Sequence, residues 1–456
     1  MLDKNTLKDF LAAVERLDAG FANLPAFEQT IPGRERIAEV LSQAATRLHE
    51  NYPYFHPLYA GQMLKPPHPV ARLAYALAMW INPNNHALDG GRASSAMEKE
   101  AVGELAAMFG WKDHLGHLCS GGTVANLEAL WVAGRVNPRK KIVASEQGHY
   151  THARISGVLQ LEFEAIASDR HGRMDLDALE QRVHRGDIGT VVASIGTTAT
   201  GSIDPLPEIL AMRKKHGFRI HADAAYGGYF TLAENLSATA RKAFDHLHEV
   251  DSIVVDPHKH GLQPYGCGCV LFRDPAAGQY YKHDSPYTYF SSGDLHLGEI
   301  SLECSRPGAA AVALWATQKL LPLVRGGEFA QGLAQGREAA LALYRALKND
   351  PRWIVAFEPE LDIVIYAPRA ADAQSISPLS QKVFKEAAGR GLHLALAELP
   401  SKFFSNSAPE VDWNAERITC LRSVLMKPEH LDWVSRIFAM LGQALEASRA
   451  SAAGTT

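Results

Sequence analysis

The sequence lacks both the long apolar runs of a membrane protein and the excess of positive charge typical of nucleic-acid-binding proteins. Its most apolar stretches, such as residues 71–81, are shorter than the ~20 residues that a membrane-spanning helix needs. The formal net charge is −4, and lysine and arginine are spread over all 456 residues without a basic stripe. The opening residues, MLDKNTLKDF, are charged and contain no apolar core of a secretory signal. We therefore expect a protein that binds neither membranes nor nucleic acids.

Cysteine is also scarce. The chain has five cysteines, an odd number, and most of them lie in apolar surroundings. This usage argues against a disulfide framework and favours a reducing, cytoplasmic location. Cys267 and Cys269 form a C-x-C pair in YGCGCVLF, which we interpret as part of a buried strand because no second pair lies at zinc-site spacing. We expect no metal.

From residue 82 onward, short β-branched runs alternate with longer helical ones. The runs KIVASEQ, TVVASIGTT, FRIHADAA, SIVVDPHK and CGCVLFRD have the composition of buried strands. Helical segments such as DLDALEQRV and PLPEILAMRKKHG lie between them, and the second ends in a basic turn followed by glycine. The pattern predicts an α/β fold with a mostly parallel sheet covered on both faces. Ligands of such sheets bind beyond the carboxyl ends of the strands.

The chain divides into three parts by pattern. Residues 1–81 combine amphipathic helical stretches with the proline-rich MLKPPHP, which predicts an N-terminal helical arm. Residues 82–325 contain the strand–helix alternation of the large domain. Residues 326–456 change to helix, two strands, helix, strand and a closing helix, which is typical of a small C-terminal α+β domain.

Polar residues at the ends of the predicted strands point to one cofactor. SGGTVANLEAL is a Gly-Gly turn that opens a helix, where free amides and the helix dipole can bind a phosphate. HADAAYGG places Asp223 after one strand, and DPHKHG places Lys259 after another. Taken singly, these features are more often explained by packing, a helix cap and a solvated lysine. Together they supply a phosphate site, a partner for a pyridinium nitrogen and a lysine for a Schiff base, as pyridoxal 5'-phosphate (PLP) requires.

The motifs and their order resemble those of the group II PLP-dependent decarboxylases. SGGTxANLxAL, SEQxHY, GTTxxGxxD, HxDAAYGG, DPHK and SRPG occur in that order, and the resemblance spans residues 82–441. The DPHKHG and SRPG segments are most similar to the archaeal tyrosine/aspartate decarboxylase branch and to the sphingosine phosphate lyases. The resemblance implies the fold of the PLP-dependent transferases (fold type I), PLP as cofactor, and a homodimer with shared active sites.

The resemblance also implies roles for individual residues. Lys259 would carry the cofactor as a Schiff base, Asp223 would contact the ring nitrogen and His149 would stack on the ring, which makes these three the predicted catalytic residues. His221 would orient Asp223. The predicted cofactor-binding residues are Gly122, Thr123, His149, Thr198, Asp223, Ala225, His258, Lys259, Ser291 and Ser292.

Predicted substrate contacts are His68, Tyr287 and Arg306, and Tyr289 is a second candidate for a mobile tyrosine. Arginine binds a carboxylate with two parallel hydrogen bonds, but an internal ion pair is an equal alternative for Arg306. His260 stands where aromatic decarboxylases usually carry tryptophan. The identity of the substrate is therefore left open.

The predicted reaction is decarboxylation of an L-amino acid to the amine and CO₂. Alternatives on the same scaffold are another C–C lyase reaction or an oxidative, deaminating decarboxylation. A catalytically silent regulator is disfavoured because the lysine, the aspartate and the ring histidine are all present. A Rossmann-type dehydrogenase is disfavoured because no G-x-G-x-x-G follows a predicted strand.

Overall fold

A seven-stranded sheet forms the centre of the large part of the chain in the computed structural model, which describes residues 3–27, 33–282 and 295–453. The strand order is β1-β7-β6-β5-β4-β2-β3. Strands β2 to β6 pair in parallel, and β7 is antiparallel to both of its neighbours. The strands are β1 Leu115–Cys119, β2 Lys141–Ser145, β3 Phe163–Ile166, β4 Ile188–Ser194, β5 Arg219–Asp223, β6 Ser252–Val255 and β7 Gly268–Phe272.

Helices precede, connect and follow these strands. In chain order they are α1 Lys4–Ala19, α2 Arg34–Leu48, α3 Pro69–Met79, α4 Leu88–Met108, α5 Gly122–Val136, α6 Thr151–Val158, α7 Leu176–Val183, α8 Leu206–His216, α9 Ala238–Asp245, α10 Gly308–Leu320, α11 Glu328–Lys348, α12 Ala373–Gly389 and α13 His430–Ala453. The predicted α/β fold with a mostly parallel sheet is confirmed.

The five strands predicted from β-branched runs are β2, β4, β5, β6 and β7. Strand β4 is buried along its whole length, as expected for a strand that is covered on both faces. Strands β1 and β3 were not predicted. The first is the short LGHLC, interrupted by the polar His117, and β3 is a partly exposed strand at the sheet edge, so neither has a long β-branched run.

Helix ends follow the local sequence signals. Asp175 accepts a hydrogen bond from the amide of Ala178 at 2.9 Å and so begins α7. Helix α8 ends at His216, and Gly217 follows with a φ of 73°, the left-handed conformation that glycine adopts without a steric penalty.

A second, four-stranded antiparallel sheet has the order β10-β11-β9-β8. Its strands are β8 Trp353–Val355, β9 Ile363–Pro368, β10 Ala395–Pro400 and β11 Arg417–Val424. Helices α11 and α12 pack on it and α13 packs on these two helices, and together they enclose a separate apolar core. The predicted small α+β part is thus present, whereas the division of the chain at residue 325 remains a prediction.

The N-terminal helices contribute little to either core. Val14 is the one buried residue of α1, and the side chains of residues 35–48 in α2 are all exposed. Within the described ranges, no helix is both long and apolar enough to cross a membrane.

Candidate active site

The carboxyl ends of β4, β5 and β6 and the start of α5 surround a cavity of about 400 Å³. This is the edge where ligands of parallel sheets bind. The cavity is lined by Ser120, Gly121, Gly122, Thr123, Val124, Asn126, His149, Tyr150, Thr151, Ser194, Gly196, Thr197, Thr198, Asp223, Ala225, Tyr226, Asp256, His258, Lys259 and Tyr265. All eight predicted cofactor-binding residues that the structure describes are in this set.

Asp223 is the last residue of β5, and its carboxylate faces the cavity beside a buried imidazole. Nε2 of His152 lies 2.9 Å from Oδ2 of Asp223, and Asp223 is 8% exposed. Burial opposes ionisation, but the hydrogen bond and charge of His152 and the charge of Lys259 hold the pKa of Asp223 well below its usual value. Asp223 is therefore a carboxylate at neutral pH.

Lys259 follows β6 and extends into the same cavity. Its Nζ lies 3.0 Å from Oδ2 of Asp256, which is 2% exposed. The other carboxylate oxygen of Asp256, Oδ1, is buried and has no hydrogen-bond partner among the described residues. The lysine amine is thus positioned by a carboxylate three residues earlier in the chain.

The start of α5 forms a cradle in the wall of the cavity. Gly121 has a φ of 151°. The first amides of α5 have no carbonyl acceptor within the helix, and no side chain of the N-cap residue accepts from them either. A Cβ atom on Gly122 would lie 2.6 Å from Oδ2 of Asp256, and one on Gly268 would lie 2.5 Å from the Cα of Gly121. These close approaches require glycine and leave the helix amides free for an anion.

His149 lies between β2 and α6 and lines the cavity. Its Nδ1 accepts a hydrogen bond from the amide of Thr151 at 3.3 Å and also contacts the Thr151 hydroxyl, which leaves the ring proton on Nε2. Burial lowers the pKa of His149, and Lys259 contributes in the same direction, while Asp223 opposes it. His149 is therefore neutral at pH 7.

Hydrogen bonds that involve backbone carbonyls hold two other predicted cofactor contacts, His258 and Thr198. Nδ1 of His258 donates to the carbonyl of Cys267 at 2.8 Å, and the His258 ring lies 4.7 Å from that of Tyr265. Thr198 is exposed at the mouth of the cavity, and its carbonyl accepts a hydrogen bond from Nη2 of Arg422 at 2.8 Å.

The two candidate substrate residues that the structure describes, Arg306 and His68, do not line this cavity. Nη1 of Arg306 lies 2.9 Å from Oε1 of Glu98, so the structure favours the internal ion pair over a substrate contact. His68 caps α3 and lines a separate cavity of about 430 Å³. Tyr287, Tyr289, Ser291 and Ser292 lie outside the described residues, and their roles stay predictions.

His221 does not orient Asp223 as expected. Its Nε2 donates to Oδ1 of Asn126 at 2.8 Å, and its Nδ1 lies 2.9 Å from the Ser252 hydroxyl. The hydrogen bond to Asp223 comes instead from His152, a residue that the sequence analysis missed. Its position directly after the His149 motif, on the first turn of α6, is the signal that could have identified it.

His260 does not line the active-site cavity. The residue is 1% exposed, its ring lies 4.7 Å from the Tyr226 ring, and it lines the separate cavity that also includes His68. The Tyr226 hydroxyl donates to Oδ1 of Asp362 at 2.5 Å, so the residue that precedes β9 of the small sheet is hydrogen-bonded to the cavity wall. Burial raises the pKa of Asp362 to about 6, against the opposing effects of Tyr226 and Lys65.

These residues fit PLP. The cradle at α5 suits a phosphate, the Asp223 carboxylate suits a protonated ring nitrogen, and the Lys259 amine suits the aldehyde. The buried hydroxyl of Ser194, which lines the cavity and has no partner among the described residues, is a further donor for a polar ligand.

The fold and this donor set define a PLP-dependent enzyme of fold type I. Residues 35–368 match the model of the pyridoxal-dependent decarboxylase conserved domain. The chain therefore belongs to the pyridoxal-dependent decarboxylase family, and its activity is PLP-dependent decarboxylation of an amino acid.

Individual relatives agree with this assignment. The chain is 28% identical to the L-tyrosine decarboxylase of Enterococcus faecium, over 77% of this chain and 76% of that protein. It is 29% identical to a probable L-tyrosine/L-aspartate decarboxylase of Methanothermobacter thermautotrophicus, over 67% of this chain and 82% of that protein.

Solved structures share the fold. Oryza sativa TDC with PLP and tryptamine has a TM-score of 0.78 at 15% identity and covers 98% of this chain and 99% of its own. A sphingosine-1-phosphate lyase of Burkholderia pseudomallei has a TM-score of 0.74 at 20% identity and covers 96% of each chain.

Proposed function

We propose that Lys259, Asp223 and His149 are the catalytic residues of this decarboxylase and that the amides at the start of α5 bind the cofactor phosphate. The observation that carries the proposal is that all these groups line one cavity at the carboxyl ends of parallel strands. Ser194 and Asp256 complete the polar wall.

PLP, when bound, accepts the electron pair that the departing CO₂ leaves on the substrate carbon. Asp223 has the charge needed to keep a proton on the ring nitrogen, because His152 holds it as a carboxylate. The Asp256 carboxylate beside Nζ of Lys259 holds the amine at the cavity wall.

After CO₂ leaves, the substrate carbon needs a proton. In its imidazolium form, which burial makes a stronger acid, His149 can donate a ring proton to that carbon and return to the neutral imidazole. A loop tyrosine, Tyr287 or Tyr289, is the second candidate for the same role.

We propose Arg422 as the residue that binds an anionic group of the substrate. It is 5% exposed and lines a cavity of about 570 Å³ that also includes His149 and Thr198. Its guanidinium hydrogen-bonds to carbonyl oxygens and to Gln62, and no carboxylate of the described ranges lies within ion-pair distance. A buried arginine without a counter-ion is suited to a carboxylate ligand.

The substrate is best identified with a panel of L-amino acids that begins with tyrosine and aspartate, on which the relatives' names indicate that they act. The assay should measure CO₂, amine and aldehyde separately. Equal amounts of CO₂ and amine are expected. Aldehyde without CO₂ would favour the C–C lyase alternative, whereas aldehyde with CO₂ and ammonia would favour oxidative deamination.

We propose that the chain is a homodimer with shared active sites. The exposed apolar side chains of α2 support this, since Ile37, Val40, Leu41 and Leu48 are between 41% and 66% exposed. A helix with such a stripe is expected to bury it against a partner. Light scattering should give twice the mass of the 49.8 kDa chain.

We further propose a cytoplasmic location. All five cysteines are free, and four of them are buried, as expected in a reducing compartment. Fractionation of the native organism's cells, followed by immunodetection, tests this directly.

A further inference from the structure

A cluster of side chains away from the active-site cavity brings two imidazoles and one carboxylate together. Glu180 lies on α7, His184 is the residue at which α7 ends, and His216 is the last residue of α8. One potential ligand atom of each lies within 4.8 Å of the other two, and the two helices pack against each other. None of the three lines the active-site cavity.

The imidazoles are arranged for coordination. Nδ1 of His184 donates to the carbonyl of Glu180 at 2.6 Å, which leaves a lone pair on its Nε2. A backbone carbonyl that fixes the tautomer in this way is typical of histidines that bind metals. The rings of His184 and His216 lie 4.7 Å apart at 65°.

His216 has an unsatisfied nitrogen. Its Nε2 is buried and has no hydrogen-bond partner in the described part of the chain. A buried imidazole nitrogen without a partner is unfavourable unless a water or an ion satisfies it. This observation is independent of the proximity of the three side chains, and it points to a ligand.

The helix dipoles at this cluster favour a cation, against the basic last turn of α8, which holds Arg213, Lys214 and Lys215. Helices α7 and α8 both end at this point, so the negative ends of two helix dipoles lie beside the Glu180 carboxylate. Lys215 competes for the site, since its Nζ lies 3.5 Å from Oε1 of Glu180. Its side chain is 67% exposed, so it can move into solvent when an ion binds.

We propose that Glu180, His184 and His216 bind a zinc-class divalent ion, with water as the fourth ligand. Two imidazoles and a carboxylate form a usual zinc ligand set, and zinc–ligand bonds of about 2.0–2.2 Å require only small side-chain adjustments here. The ion links the ends of α7 and α8 on the outside of the large sheet. It therefore stabilises the fold and takes no part in decarboxylation.

No metal is predicted from the sequence. The separation of Glu180 and His184 by one helical turn is visible in the sequence, but the third ligand comes from the following helix. Only the packing of α8 on α7 places His216 beside the other two.

The test uses the PLP-loaded enzyme after removal of metals with a chelator. Calorimetric titration with zinc chloride is expected to show one site per chain that is lost in His184→Ala and in His216→Ala. Saturating zinc should raise the Tm of the wild type by about 2–3 °C and leave both variants unchanged. Cobalt(II) should give the visible absorption of a tetrahedral site in the wild type only.

His246→Ala is the matched control, because His246 and His248 also form a ring pair near Glu249 on the surface without being part of such a ligand group. This variant should bind zinc like the wild type. Decarboxylase activity should be the same in all four proteins, which also confirms that the variants are folded. Equal zinc binding and an equal Tm rise in His184→Ala and His216→Ala, or no zinc site in the wild type, would overturn the proposal.

Discussion

Nε2 of His152 lies 2.9 Å from Oδ2 of Asp223, so the carboxylate at the end of β5 is held by an imidazole from α6. Both side chains are buried, at 1% and 8% exposure. A hydrogen bond to a charged acceptor in such surroundings is stronger than one in water. Asp223 is proposed to face the cofactor nitrogen. Its ionisation therefore depends on His152, a residue outside the recognised motifs.

The first prediction concerns Lys259. Lys259→Ala should lower the rate of CO₂ release by about three orders of magnitude or more, because the amine that holds the cofactor covalently is absent. Borohydride should fix labelled cofactor to the wild type and not to the variant. Full labelling of a folded Lys259→Ala protein would contradict the role assigned to this lysine.

The second prediction compares Asp223 with its partner. Asp223→Asn should lower kcat by about 10²–10³-fold, as expected when a preorganised charge is removed. His152→Gln should lower kcat less, by about 10-fold, because it weakens one charge-assisted hydrogen bond and leaves the carboxylate in place. Cofactor absorbance reports whether PLP remains bound. If His152→Gln leaves both the rate and the spectrum unchanged, His152 does not support Asp223.

A third prediction tests Arg422. Arg422→Gln should raise KM by about 10–100-fold with a smaller effect on kcat, because a buried charged contact to the substrate is lost. Arg417→Gln is the control, since Arg417 is on the same strand and lines the same cavity but pairs with Glu398 at 3.0 Å. Steady-state kinetics on the substrate identified by the panel give both constants. Equal changes in KM for the two variants would argue against a specific role for Arg422.

The fourth prediction concerns acid stability. Burial lowers the pKa of His221 to about 3, although Asp223 opposes the shift. Below about pH 6.5 the unfolded chain binds a proton at this histidine, whereas the folded chain does not. In that range each pH unit of acidification lowers the free energy of unfolding by about 1.4 kcal/mol. The stability advantage of the wild type over His221→Gln should therefore shrink by about 2 kcal/mol from pH 8 to pH 5.

Denaturant unfolding at several pH values measures this difference. His248→Gln, at an exposed position, should follow the wild type over the whole range. A constant gap between wild type and His221→Gln would show that His221 is not buried as a neutral imidazole.

The last prediction concerns assembly. The double variant Val40→Asp, Leu41→Asp should shift the protein from dimer to monomer in light scattering, because two charges would lie in the apolar stripe of α2. Ser42→Asp, at the next exposed position of the helix, is the control. A double variant that remains fully dimeric would exclude α2 from the interface.

Co-expression tests whether the sites are shared. Lys259→Ala would be combined with a chain that carries Ser291→Ala and Ser292→Ala. Each parent should be inactive, and mixed dimers should regain part of the activity if these serines act across the interface. Absence of any recovered activity in purified mixed dimers would contradict shared sites.

Much of the site could be predicted because it depends on local patterns. The buried strands β5 and β6 are recognisable from their β-branched residues, and Asp223 and Lys259 lie at or just beyond their ends. The carboxyl ends of parallel strands meet at one edge of a sheet, so both side chains were expected near the helix start at Gly122. The structure places all three around one cavity.

The fold class and the kind of cofactor chemistry could be predicted from the sequence, because strand composition, helix starts and the residues that follow strands are properties of short segments. Which groups support the site depends on the tertiary structure. His152 and Asp223 are 71 residues apart, and Arg422 and Thr198 are 224 apart, so these contacts depend on how α6 and β11 pack beside the large sheet. It also decided that Arg306 pairs with Glu98, since both side chains are buried where only an opposite charge can compensate them.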